Sequence, residues 1–162
     1  MYLLPKTETE ARNTTVAGVL LAVIGVFDIL GSTASGWLTD RVDPRRLLFV
    51  YYALRGLSLA ALPLFLETGH AALIAFAVVY GLDWVATVPP TVALCADAFG
   101  RERAGLVFAW VFASHQIGAA VAALGAGIIR DDAGSYHWAF LIAGALCMGA
   151  SLASARVRLP RR

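Results

Sequence analysis

The stretch Gly36-Trp37-Leu38-Thr39-Asp40-Arg41-Val42-Asp43-Pro44-Arg45-Arg46 decides the fold. It is a short, densely charged turn set between two long apolar runs. A turn of this kind belongs in water beside a membrane, where its arginines mark the cytoplasmic face. It also reads as a helix boundary. Asp43 is a good N-cap for the second helix, and Pro44 suits a first helical turn, where no amide donor is needed.

Outward from that turn, the 162 residues are 59% hydrophobic and only 15% charged. An ordinary soluble domain carries roughly 25% charged residues. The apolar residues are grouped, not spread. Five runs are each long enough to cross ~30 Å of hydrocarbon, which takes about 20 helical residues. They lie near 16–38, 47–66, 71–96, 104–129 and 137–155. A soluble bundle would need a polar face on each helix, and these segments have almost none. The expected fold is therefore all-α and integral to a membrane, with five transmembrane helices. Residues 1–15 form an external leader and 156–162 a basic cytoplasmic tail.

The basic residues sort by connection. Arg41, Arg45 and Arg46 follow the first run, Arg101 and Arg103 the third, and Arg156, Arg158, Arg161 and Arg162 the fifth. The other side holds Glu67 and His70, then Arg130 with Asp131 and Asp132, and Lys6 and Arg12 in the leader. This places the C-terminus in the cytoplasm and the N-terminus outside. Met1–Thr15 has no apolar central region or small-residue cleavage site, so it is not a signal peptide. An outside N-terminus without a signal points to at least one helix upstream. Cys95 and Cys147 fall inside apolar runs and read as small core residues. Small residues at spacing four (Ser32/Gly36, Gly118/Ala122, Ala119/Ala123, Ala145/Gly149) suit close helix contact in lipid. Pro89-Pro90 should kink or unwind the third span, which membranes tolerate where the freed backbone lines protein or water.

Asp28, Arg55, Asp83 and His115 lie inside the spans. A central Asp or Arg costs on the order of 2.5–3.5 kcal/mol on insertion scales. Counted from the cytoplasmic ends at 1.5 Å per residue, all four fall in a layer roughly 12–20 Å deep. Two readings stand for this layer. In one, Asp28 and Arg55 form a buried pair that locks adjacent antiparallel helices. In the other, the polar groups line a hydrated path, with Asp83 followed by Thr87 and Thr91, and His115 beside Gln116. Asp83, next to the double proline, favours the path. His115 is equally compatible with a helix-to-helix hydrogen bond.

No HExxH, GxSxG, Walker loop or zinc-spaced Cys/His cluster is present, so no enzyme, cofactor or metal is expected. Arg101-Glu102-Arg103 is too short a basic run for nucleic acid, and the terminal arginines suit anionic lipid better.

The spacing Gly36-x-x-x-Asp40-Arg41-x-x-x-Arg45-Arg46 resembles the signature loop of the major facilitator superfamily, G-x-x-x-D-R/K-x-G-x-R/K-R/K. Asp43 stands where that loop has its second glycine. Phe99-Gly100-Arg101-Glu102-Arg103-Ala104-Gly105 resembles the family's loop before its eleventh helix. Gly25-Val26-Phe27-Asp28 and Tyr80-Gly81-Leu82-Asp83-Trp84 look most like the bacterial branch near monocarboxylate and oxalate/formate carriers. The resemblance implies the C-terminal half of a transporter, an incomplete six-helix repeat whose helices correspond to the eighth through twelfth. It further implies a conformational latch at Gly36, Asp40, Arg41, Arg45 and Arg46, working against the other half.

The expected protein is a proton-linked secondary transporter of a small organic anion in the inner membrane. Its partners are the lipid bilayer, a small-molecule substrate, protons, and a missing N-terminal half or a second chain. Asp83, Thr87, His115 and Gln116 would line the cavity, and Asp28 and Arg55 would support it. The alternative is a truncated, non-transporting membrane protein: a scaffold, or the partner of a separate half-transporter.

Overall fold

A computed structural model describes residues 4–157, and for residues 4–12, Glu67 and His70 it describes the backbone alone. Arg158, Arg161 and Arg162 of the basic tail lie outside the described residues. Among the described residues six helices occur in order: α1 (Leu4–Thr39), α2 (Pro44–Thr68), α3 (His70–Trp84), α4 (Val88–Phe99), α5 (Arg101–Ala133) and α6 (His137–Ala155). There is no strand among the described residues. Five segments of the described residues are long and apolar enough to span a membrane: Asn13–Thr39, Pro44–Leu66, Ala71–Phe99, Arg101–Ala133 and His137–Ala155. The third contains both α3 and α4. Helix α1 begins at Leu4, so most of the stretch read as a leader continues the first span as helix.

The boundaries arise from local chemistry. The Asp43 carboxylate accepts the Arg45 amide at 2.9 Å, and Pro44 opens α2. Gly100 (φ 85°) and Gly134 (φ 70°) end α4 and α5 in backbone that an L side chain rarely adopts. The third span breaks at 85–87, directly before Pro89-Pro90 at the start of α4.

Helix α1 packs on α3 and α4, and α2 lies along α6 and touches α3 and α4. Helix α5 rests mainly on α4 and only lightly on α6. The interior is small: Leu47, Leu48, Leu62, Ala77, Ala86, Cys95 and Ala104 are buried. Large apolar side chains such as Leu21, Ile29, Leu106, Trp110 and Leu124 face outward, as suits a protein solvated by lipid.

Close approach occurs at glycines other than those in the expected pairs. A Cβ on Gly31 would collide with the Leu82 carbonyl, and one on Gly81 would come within 2.7 Å of the Ile24 carbonyl oxygen. Gly56 and Gly144 bring α2 and α6 together in the same way, where a Cβ on either would lie 2.9 Å from the other's carbonyl oxygen. Near them Ser151 donates to the Phe49 carbonyl at 2.7 Å. Gly36, Gly118 and Gly149, from the expected pairs, have no such neighbour within 4 Å. Spacing four marks a face that allows approach; the helix that fills it is set by packing.

Candidate functional site

The break at 85–87 gathers the polar groups. A proline has no N–H, so Pro89 and Pro90 cannot donate to the carbonyls four residues before them. The Val85 carbonyl instead accepts the Val88 amide at 2.9 Å. The Ala86 carbonyl accepts the Ser35 hydroxyl of α1 at 2.5 Å, and Ser35 is fully buried. Two further carbonyls at the end of α3 are covered by Arg55 of α2, whose Nη2 donates to Asp83 O at 2.5 Å and to Trp84 O at 3.0 Å. A guanidinium there also meets the negative end of the α3 dipole. On the opposite side, the Val85 amide donates to Asp28 Oδ1 at 3.0 Å.

These contacts correct one expectation. Arg55 does not pair with Asp28. Its Nε donates to Asp83 Oδ2 at 2.8 Å, with both side chains largely buried. The reason is the broken helix: it offers Arg55 a carboxylate and two free carbonyls together, and it offers Asp28 a free amide. Matching depth put the charges at one level, but depth carries no information on which way each helix faces. Asp83 Oδ1 is buried with no hydrogen-bond partner among the described residues.

Beside the break, a cleft of about 410 Å³ opens between α2, the break and α5. Thr87, His115 and Gln116 line it; Asp83 is only 4% exposed and is not among the lining residues. Four aromatic residues also line it, which sequence reasoning did not single out as cavity residues: Tyr52, Trp84, Phe108 and Phe112. Phe108, Phe112 and His115 form a ladder along α5, with ring centroids 6.1 and 6.2 Å apart and near-parallel planes. Spacing of four and then three residues was the available signal, since it places the rings on one helical face. The cleft offers flat apolar walls with a few hydrogen-bonding groups, the usual make-up of a small-molecule site.

The signature loop lies at the end of α1. Asp40 and Arg41 are exposed. Arg41 turns back on its own helix, donating to the Trp37 carbonyl at 2.9 Å with its guanidinium 3.9 Å from the Trp37 ring centre. Arg45 pairs with Asp43 at 2.5 Å and donates to the Val157 carbonyl at 3.3 Å, tying the loop to the end of α6. Gly36 is half-buried and Arg46 exposed.

Comparison with known proteins supplies the family. The Major Facilitator Superfamily profile matches residues 2–162. Monocarboxylate transporter 13 of Rattus norvegicus is 32% identical over 83% of this chain, and monocarboxylate transporter 12 of Mus musculus is 30% identical over 100% of it. The MFS-type transporter YcxA of Bacillus subtilis (strain 168) is 27% identical over 72% of the chain. The matches cover 32%, 34% and 30% of those relatives, so this chain spans about a third of their length. No solved structure matches. A multi-pass bundle of five apolar spans, matched by the family profile over nearly its whole length, is a member of the Major Facilitator Superfamily of transporters.

Proposed function

We propose that the chain is the C-terminal half of a proton-linked secondary transporter that moves a small organic anion by alternating access. The observation that carries this is the cleft of Thr87, His115 and Gln116 beside a broken span, in a chain whose relatives are named monocarboxylate transporters. Substrate would sit between this half and a second half and be exchanged by rocking of one against the other. Asp28 and Asp83 are carboxyls at membrane depth, the kind of group that takes up and releases protons along a transport path. Gly36, Asp40, Arg41, Arg45 and Arg46 act as the cytoplasmic latch. The exposed Asp40 is free to meet a helix N-terminus of the other half, an attraction of ~0.3–1 kcal/mol, rising to ~2 when partly buried. The membrane is the inner membrane, with the C-terminus in the cytoplasm.

The test is uptake into proteoliposomes holding this chain together with an N-terminal half, beginning with whatever the DNA upstream of Met1 encodes in frame. Labelled lactate should accumulate under an inward proton gradient and stop accumulating when a protonophore is added. Asp83→Asn and His115→Ala should each lower uptake by about tenfold or more while inserting normally. Uptake indifferent to the gradient overturns the proton link; wild-type uptake in both variants overturns the site. A second reading is a membrane scaffold, or the partner of a separate half-transporter. A scaffold inserts and folds but gives no uptake with any N-terminal half.

A further inference from the structure

The polar side chains at membrane depth share a feature that transport chemistry does not require: Ser35, Asp28 and Arg55 all reach across helices to the break between α3 and α4. Ser35 reaches it from α1, Asp28 from two turns earlier in α1, and Arg55 from α2. Between them they cover three carbonyls and one amide of residues 83–86. Backbone groups left unpaired in hydrocarbon cost several kcal/mol each, so a break at this depth persists only if something covers it.

We propose that Ser35, Asp28 and Arg55 are a clamp of positioning residues, which pairs the backbone groups left open where the helix breaks at 85–87 and fixes the angle between α3 and α4. The division of labour comes from donor and acceptor chemistry. Ser35 supplies the O–H that stands in for the missing amide of Pro90. Asp28 supplies an acceptor for the Val85 amide. Arg55 supplies several donors from one planar group, which a lysine ammonium on a flexible stem cannot aim at a carboxylate and two carbonyls together. Asp83 balances the charge of Arg55, so on this assignment the cation holds protein backbone and is not available to a substrate anion. The clamp also sets the cleft. Trp84 and Val85 line it before α4 begins, Val88 and Thr91 line it within α4, and α5, whose ring ladder forms the far wall, is carried mainly by α4.

The proposal concerns this chain alone and stands or falls independently of transport. The experiment is hydrogen–deuterium exchange of the full 162-residue chain in lipid nanodiscs, comparing peptides spanning 83–92 with peptides from α6 as the internal reference. Ser35→Ala should speed exchange across 83–92 by about three- to tenfold, the worth of one interhelical hydrogen bond in a membrane, and leave α6 unchanged. Adding Pro90→Ala to that variant restores an amide opposite the Ala86 carbonyl and should return exchange to the wild-type rate. Asp28→Asn keeps an oxygen for the Val85 amide and should leave exchange unchanged, whereas Asp28→Leu should speed it. Arg55→Lys should speed it also. Wild-type exchange in Ser35→Ala, failure of Pro90→Ala to restore it, or an equal rise in α6 would each overturn the clamp. If Ser35→Ala does not insert, the Asp28→Asn and Asp28→Leu pair decides the question by the same comparison.

Discussion

Asp43 performs two tasks within one turn. Its carboxylate caps α2 by accepting the Arg45 amide, and it pairs with the Arg45 guanidinium. The side-chain hydrogen bond from Arg45 is the main reason its carboxyl titrates below the ordinary value of 3.8, against a smaller opposing effect of burial. A carboxyl depressed in the folded state contributes stability above its unfolded pKa, and that contribution is lost as pH falls through the folded value. Asp43→Ala should therefore destabilise the chain by about 1 kcal/mol at neutral pH, the usual worth of a helix cap. The half-exposed ion pair adds little to that. Thermal unfolding in detergent, followed by circular dichroism, should show the gap between wild type and variant narrowing below about pH 4, the unfolded carboxyl's range. A gap that does not narrow as pH falls below that range would mean the carboxylate charge contributes nothing here. Asp43 occupies the place of a glycine in the family's loop motif, and its capping bond shows how the turn forms without that glycine.

At the scale of elements, the α1–α3 crossing depends on two glycines, Gly31 and Gly81. Because a Cβ on Gly31 meets backbone of Leu82, with no flexible side chain to give way, the helices must separate to admit even a methyl group. Gly31→Ala should cost about 1–3 kcal/mol, the range for overpacking. Gly25→Ala, in open space on the same helix, should be neutral or stabilising by up to ~1 kcal/mol through helix propensity. Unfolding of the two variants by titrated denaturing detergent checks the contrast, and equal stability of the two would refute the crossing. The same contrast separates what is legible in the sequence from what is not. Spans and turns were legible because they depend on local signals: apolar runs, the Asp43 cap, and the double proline. Partners were not legible, because spacing gives the face of a helix and depth gives its level, while neither gives the azimuth of its neighbour. Arg55 and Asp83 found each other across that gap. Ser35 is an intermediate case: a proline at 90 implies an unpaired carbonyl at Ala86, though not which helix would supply the hydroxyl.

For the whole molecule, an odd number of spans puts the two ends of the bundle on opposite sides of the membrane. The connections at 40–43 and around Gly100, together with the end of α6, share one face; the turns at Gly69 and Gly134 share the other. Helix α5, with 33 residues, is about 50 Å long and exceeds the ~30 Å core, so its Arg101 and Asp132 ends reach both aqueous phases. On the first face lie Arg41, Arg45, Arg46, Arg101, Arg103 and Arg156; in the Gly134 turn, Arg130 is offset by Asp131 and Asp132. The positive-inside bias therefore favours a cytoplasmic first face, and this can be tested without any substrate. With Cys95 and Cys147 replaced by alanine, Ser135→Cys should react with a membrane-impermeant maleimide on intact cells, and Arg103→Cys only after permeabilisation. Both positions sit at helix ends outside the cleft, so labelling reports topology and not transport activity. The reverse pattern would invert the bundle and place the Asp40–Arg46 loop outside, where a cytoplasmic latch could not operate. Labelling of both positions on intact cells would signal mixed insertion, the outcome expected if the arginines of the first face do not control orientation in the absence of a second half.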